Sequence, residues 1–278
     1  MGRLSTFALA CALVAGFAAC GRAAEPGPAP GPIRVIGSNG LGCIAGAVEL
    51  PAEGPGFQEI RSRRSVFWGH PRTIALLELL GQRARMAGLP DLYMNDISMP
   101  RGGPIPGHAG HELGLEADIW LDVNPKPVLT LEQRENLDPP SVVRPDGRAV
   151  DPAIWTEDHA KLLRLAAMLP DVDRIFVNPA IKQELCQTTT GDRSWLHRIR
   201  PWWGHAAHFH IRFRCPVDQP ECVQGAPIPP GDGCDATLQW WFDQLALPPK
   251  PPSPPRKPPP LPAACRAIMD APSAPARH

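Results

Sequence analysis

Five of the nine histidines fall in two short clusters. The first is Gly107-His108-Ala109-Gly110-His111, followed within the same segment by Asp118. The second is His205-Ala206-Ala207-His208-Phe209-His210. On a β-strand, alternate side chains share a face, so His208 and His210 point the same way. Two imidazoles on one face suit a metal ligand beside a second reacting group, and His205 can curl over the same site. Asp118 interrupts an apolar stretch ending in Ile119 and Trp120, where a carboxylate is costly unless paired or coordinated. Catalytic zinc takes three protein ligands from His, Asp and Glu and leaves one position for water. His111, Asp118 and His210 offer two nitrogens and one oxygen for that purpose. His208 is then the expected acid/base or transition-state donor, assisted by His205, and His108 is an additional active-site residue or ligand. The plainer alternatives are a surface-loop histidine, a turn-capping carboxylate and a packed strand histidine. Glu112 and Glu116 lie outside any HExxH helix, because His108 and His111 are separated by Ala-Gly.

Positioning these groups takes a mixture of helices and strands. Apolar residues at Ile74, Leu76, Leu77, Leu79 and Leu80, with Pro71 at the first position, predict a helix over 72–86 starting near His70. Gly88 and Pro90 end it, and 92–97 reads as a strand. Residues 100–107 form a Gly/Pro loop into the first histidine cluster, and the second half of 114–121 reads as a strand. Residues 125–154 read as a long loop with short helical pieces. Thr156-Glu157-Asp158 looks like a cap and acidic first turn for a helix running through Met168. A strand is expected over 173–177, a short helix over 179–185, and a strand over 208–214. No regular βαβ repeat appears. The expected fold is therefore α+β, one domain with a small central antiparallel sheet flanked by helices and long loops.

The chain has 278 residues, with 43% hydrophobic and 20% charged, the balance of one globular domain with tails. Its formal net charge is zero and it has no long basic run, which argues against nucleic acid or anionic lipid as a partner. Met1-Gly2-Arg3 followed by a mostly apolar segment to Ala19 reads as a signal peptide over 1–24. No later stretch can span a membrane. Cleavage near Ala18 to Ala24 is expected; Phe17-Ala18-Ala19-Cys20 is a weaker, lipoprotein-like alternative in which Cys20 is acylated. Of eight cysteines, six lie beyond that segment: Cys43, Cys186, Cys215, Cys222, Cys234 and Cys265. An even number in an exported chain suggests three disulfides, with connectivity left open. The remaining organisation reads as an extended lead-in over 25–39, a main domain over 40–245 and a proline-rich tail over 246–278. A disulfide at Cys265 would tie that tail back.

Four segments together resemble the penicillin-insensitive murein endopeptidases, a group within the lysostaphin, D-Ala-D-Ala metallopeptidase and hedgehog-like family. They are Gly107-His108-Ala109-Gly110-His111, Gly114-Leu115-x-x-Asp118-Ile119, Arg174-Ile175-Phe176-Val177-Asn178-Pro179-Ala180-Ile181-Lys182 and His208-Phe209-His210-Ile211-Arg212. The family signature is HxxxxxxD followed by HxH, matched at His111 to Asp118 and His208 to His210. Likeness extends from about Gly40 to Phe242 and includes Pro230-Gly231-Asp232-Gly233-Cys234. The resemblance implies a zinc metallo-endopeptidase of the periplasm that cuts D-alanyl–meso-diaminopimelyl crosslinks of peptidoglycan. It implies His111, Asp118 and His210 as ligands, His208 and His205 as catalytic residues, and disulfides Cys43–Cys265, Cys186–Cys234 and Cys215–Cys222. Such an enzyme has no nucleophilic serine for a β-lactam to acylate. Some members carry a second zinc at a dimer contact, using an Asp and a His three residues later. Here Asp146-Gly147-Arg148-Ala149 has Ala at the His position, so one catalytic ion is expected, and a homodimer, if formed, would not rest on that second ion. Arg101, Arg212 and Lys182 are candidates to meet substrate carboxylates. The competing readings are a D,D-carboxypeptidase or dipeptidase of the same fold, and a non-catalytic wall-binding domain.

Overall fold

The computed structural model describes residues 27–248 and 259–274. The expected signal peptide, Cys20 and much of the proline-rich tail lie outside the described residues. In chain order the strands are β1 (Arg34–Ser38), β2 (Leu41–Ala45), β3 (Val48–Glu49), β4 (Glu53–Gly54), β5 (Phe57–Glu59), β6 (Trp68–Gly69), β7 (Leu92–Met94), β8 (Glu116–Trp120), β9 (Val172–Val177), β10 (Ile199–Pro201) and β11 (His208–Phe213). The helices are α1 (Pro71–Met86), α2 (Leu131–Arg134), α3 (Glu157–Ala167), α4 (Pro179–Thr188), α5 (Ala236–Leu245) and α6 (Cys265–Met269). The fold is α+β.

The main sheet has seven strands in the order β10-β9-β11-β8-β7-β5-β4. Around the histidines it is antiparallel, as β11 pairs with β9 on one side and β8 on the other. Toward its edges two pairs are parallel, β10 with β9 and β5 with β7. Parallel neighbours arise here from connections through helices: α1 intervenes between β5 and β7, and α4 between β9 and β10. A hairpin, β1 with β2, begins at Arg34, inside the segment expected as an extended lead-in.

The helices form where capping and periodicity agree. α1 opens with Pro71 at its first position, and the ring of His70 accepts a hydrogen bond from the Arg72 N–H at 3.1 Å. It buries Ile74, Leu77 and Leu80 in the main core with Phe57, Leu92 and Ile119. α3 begins after Thr156 and buries Leu162, Leu163 and Ala166. Asn178 caps α4 through its side-chain oxygen, which accepts from Ala180 N at 3.0 Å.

Three disulfides join Cys43 to Cys265, Cys186 to Cys234 and Cys215 to Cys222, the pairs the family resemblance implies. The first gathers a small core of Ala29, Ile36, Ala45 and Ile268. The buried Arg101 guanidinium closes it by donating to the carbonyls of Met269 at 2.7 Å and Ala271 at 2.6 Å. Arg101 is thereby committed to holding α6, not to meeting substrate.

Candidate metal centre

β8 is buried along its whole length yet carries Glu116 and Asp118. In the β8–β11 register His210 faces Asp118, His208 faces Trp120 and Arg212 faces Glu116. Because alternate residues share a face, Glu116, Asp118, His208, His210 and Arg212 all point to one side of the sheet. His210 Nδ1 lies 3.1 Å from Asp118 Oδ1, and His208 Nε2 lies 3.6 Å from Asp118 Oδ2.

His111 arrives from the Gly/Pro loop in a left-handed conformation, φ 69°. A β-carbon resists that geometry, so its neighbours must enforce it. The His111 N–H donates to Glu116 Oε2 at 2.5 Å. Its ring Nδ1 contacts the Ile97 carbonyl at 3.0 Å, which makes Nδ1 the protonated nitrogen and leaves the Nε2 lone pair free. Gly110 is required beside it, since a β-carbon there would sit 2.7 Å from Glu116 Oε2. His111 Nε2 and Asp118 Oδ1 then face each other at 3.4 Å. Both are buried and neither has a hydrogen-bond partner. Buried polar atoms are seldom left so, and a cation between them is the group that satisfies both at once.

Ligand atoms of His108, His111 and Asp118 lie within 4.8 Å of one another. His210 is not one of those three, but it lies against them, with Nδ1 3.1 Å from Asp118 Oδ1 and its ring centroid 4.5 Å from that of His111. The histidine and aspartate donors therefore suit zinc chemically. His108 is also engaged elsewhere: its Nε2 lies 3.0 Å from Asp96 Oδ2 and 3.9 Å from Asp118 Oδ2. Asp96, fully buried, receives Arg64 Nη1 at 2.7 Å as well.

The electrostatics divide the histidines into two kinds. Burial disfavours a charged His210, but the carboxylates of Glu116 and Asp118 outweigh it and push its pKa up to about 9. Burial opposes charge on Asp118 too, yet His111, His210 and His208 hold it well below the usual carboxylate range. His208 and His205 go the other way. Burial lowers His208, and burial with the neighbouring His208 lowers His205 to about 4. Both are neutral at pH 7 and able to take up or pass on a proton.

His205 sits at φ 50° in a turn that is tied down on several sides. Its carbonyl accepts from Asn178 N at 3.0 Å, while Ala206 and Ala207 carbonyls accept from Val142 N and Leu121 N at 2.8 and 2.9 Å. Its ring lies 5.0 Å from that of His208. All six histidine and aspartate positions singled out from sequence thus converge on one site. The other histidines among the described residues have backbone partners: His70 caps α1, His159 contacts the Leu121 carbonyl and His197 the Gly231 carbonyl.

Two carboxylates at the site escape a motif search. Glu116 lies beneath it, with Oε1 2.9 Å from His210 Nε2 and accepting from Arg212 Nε at 2.5 Å. Its position two residues before Asp118 on one strand was the available signal. Asp96 has no comparable local signal, since its contacts with His108 and Arg64 are tertiary. Glu112, by contrast, is taken up by the Gly42 N–H at 3.0 Å. Lys182 is buried and donates to the Leu196 carbonyl at 2.8 Å and the Asp232 carbonyl at 2.5 Å. Arg101, Arg212 and Lys182 all have internal roles.

Residues 35–270 match the model of a family described as penicillin-insensitive murein endopeptidase. The chain is 47% identical over 245 residues to a protein of that name from Haemophilus influenzae, covering 86% of this chain and 83% of that protein. It is 43% identical over 249 residues to one from Salmonella newport, covering 87% of this chain and 88% of that protein.

Proposed function

Because the chain belongs to the penicillin-insensitive murein endopeptidase family, we propose that it is a zinc-dependent enzyme hydrolysing the D-alanyl–meso-diaminopimelyl crosslinks of peptidoglycan. Murein endopeptidase activity follows from family membership; the metal, the bond and the residue roles are our reading. The observation that carries it is the buried pair His111 Nε2 and Asp118 Oδ1, unpartnered and 3.4 Å apart, with His210 Nδ1 beside them.

His111, Asp118 and His210 would hold the ion, and His108 is close enough to join or adjust them. When bound, zinc polarises a scissile carbonyl and lowers the pKa of its water toward ~7. Glu116 orients His210 by accepting a hydrogen bond from its Nε2–H, so that Nδ1 presents its lone pair. His208 and His205 lie on the more open side, neutral at pH 7. They can hold a proton released during attack and deliver it to the leaving amine, or donate to the developing oxyanion. No serine takes part, which accounts for indifference to penicillin.

A carboxypeptidase of this fold would need a fixed cation for the free terminal carboxylate. Arg101 and Lys182 are each taken up by backbone carbonyls within the chain, which removes two of the three candidate cations from that role. The three disulfides support an oxidising compartment, the periplasm, reached through the expected signal peptide over 1–24. No helix among the described residues is long and apolar enough to cross a membrane.

The test is a digest of a defined crosslinked muropeptide dimer, with and without penicillin, followed by mass. Conversion to monomers in both samples is expected. Loss of a terminal D-Ala with the crosslink intact would transfer the assignment to a carboxypeptidase, and no cleavage by folded, zinc-loaded protein would favour a binding domain.

A further inference from the structure

Beside the histidines runs a series of aromatic rings that the proposed hydrolysis does not use. Phe176 faces His210 across the β9–β11 ladder, with ring centroids 5.6 Å apart. Trp202 follows at 5.2 Å from Phe176, and Trp241 at 6.2 Å from Trp202. Trp203 and Trp240 then flank Trp241 at 4.7 and 5.2 Å. Trp202 and Trp240 are each 50% exposed and Trp203 is 41% exposed. Tryptophan is usually well covered in a folded chain, so three in one exposed patch mark an interaction surface.

Their geometry narrows the partner. Trp240 meets Trp241 at 88° and Trp203 meets it at 60°, edge to face, so the indoles do not cover one another as a stack would. Exposed indole faces carry the negative lobe of the ring quadrupole. A pyranose presents just the complement: a face of polarised C–H bonds, bordered by hydroxyls that the indole N–H groups can meet. The rings themselves carry no charge, whereas the stem peptides of murein carry carboxylates and amines. The patch is also continuous with the site through Phe176, as it must be if sugar and peptide of one polymer are held together.

We propose that Phe176, Trp202, Trp203, Trp240 and Trp241 form a platform on which the glycan strand of murein stacks while its peptide crosslink lies over the histidines. This rests on the endopeptidase reading and adds a second recognition element to it: the sugar backbone.

The test uses the full mature chain, freed of metal by chelation, titrated with a peptide-free N-acetylglucosamine tetramer. Tryptophan fluorescence and saturation-transfer NMR report binding. A saturable change is expected, with affinity falling about two- to tenfold in Trp240→Ala, the weight of one aromatic stacking contact, and partly restored in Trp240→Phe. A kinetic arm compares the crosslinked dimer bearing its disaccharides with the same dimer stripped of sugar. The ratio of kcat/KM between the two should fall in Trp240→Ala by a similar factor. No binding at millimolar sugar, or binding indifferent to Trp240→Ala, would overturn the proposal. So would sugar binding that appears only after residues 249–258 are replaced by a Gly/Ser run of equal length, since the chain's own proline-rich segment would then be the occupant. If neither dimer is cut, the endopeptidase reading fails, while the sugar titration still decides the platform.

Discussion

Replacing Glu116 by Gln preserves shape and removes one charge beneath the candidate metal centre. Its two oxygens meet three groups: His210 Nε2 at 2.9 Å, Arg212 Nε at 2.5 Å and His111 N at 2.5 Å. An amide offers one acceptor and one NH2, so at least one of those donors is left facing another donor. A buried unsatisfied donor costs about 1–3 kcal/mol, and the bonds that survive lose their charge assistance. His210 is also less basic without Glu116, the largest influence raising it. Loss of such a supporting carboxylate typically weakens metal binding about 10–100-fold, or about 1.4–2.8 kcal/mol. Zinc affinity of E116Q, measured by competition with a chromogenic chelator, should fall within that range while circular dichroism reports a folded chain. In metal-free protein, His210 should titrate at lower pH in E116Q than in the parent by NMR. Folded E116Q that binds zinc within twofold of the parent would refute the assignment of Glu116 as the group that orients His210.

Burial pulls Lys182 from its ordinary 10.5 down to about 7. Between those values the unfolded chain holds more protons than the folded one, so stability should rise with pH across that window, and below it the penalty is fully present. Lys182→Met should flatten that rise by up to about 1.4 kcal/mol per pH unit in urea melts, and an unchanged slope would show that the amine is not desolvated. Opening Cys43–Cys265 with paired Ala substitutions frees a link spanning 222 residues. The chain-entropy argument gives a loss of up to about 5 kcal/mol, read from chemical denaturation, with Cys186–Cys234 removal costing less because its span is 48 residues.

Much of the candidate site was legible because strand periodicity is local. The alternation of His208 and His210, and the placement of Asp118 in an apolar run, already implied one face of a sheet. Extending the same two-residue rule back from Asp118 reaches Glu116, which contacts His210 Nε2 and accepts from Arg212 Nε. Asp96 was not legible: it meets His108 and Arg64 only after the chain has folded. Among the elements, α1, α3 and α4 announced themselves through Pro71, Thr156 and Asn178-Pro179. The β1–β2 hairpin carried a signal in Asn39-Gly40 that its Gly-rich surroundings obscured. α5 had an N-cap in Asp235, whose side chain accepts from Thr237 N at 2.9 Å, but follows a Pro/Gly segment and exposes much of its apolar surface. The parallel pairs β5–β7 and β9–β10 depend on strand order, which no local pattern specifies. Basic residues stayed undecided for the same reason: whether Arg101, Arg212 or Lys182 is free for substrate is decided by carbonyls and carboxylates distant in sequence.

The most direct test of the account is a zinc titration of the metal-free protein, with turnover of the crosslinked muropeptide dimer followed at each addition. The account predicts no turnover without metal, a linear rise, and a break at one zinc per chain. Full turnover by metal-free protein, or turnover unaffected by Asp118→Asn, would contradict it.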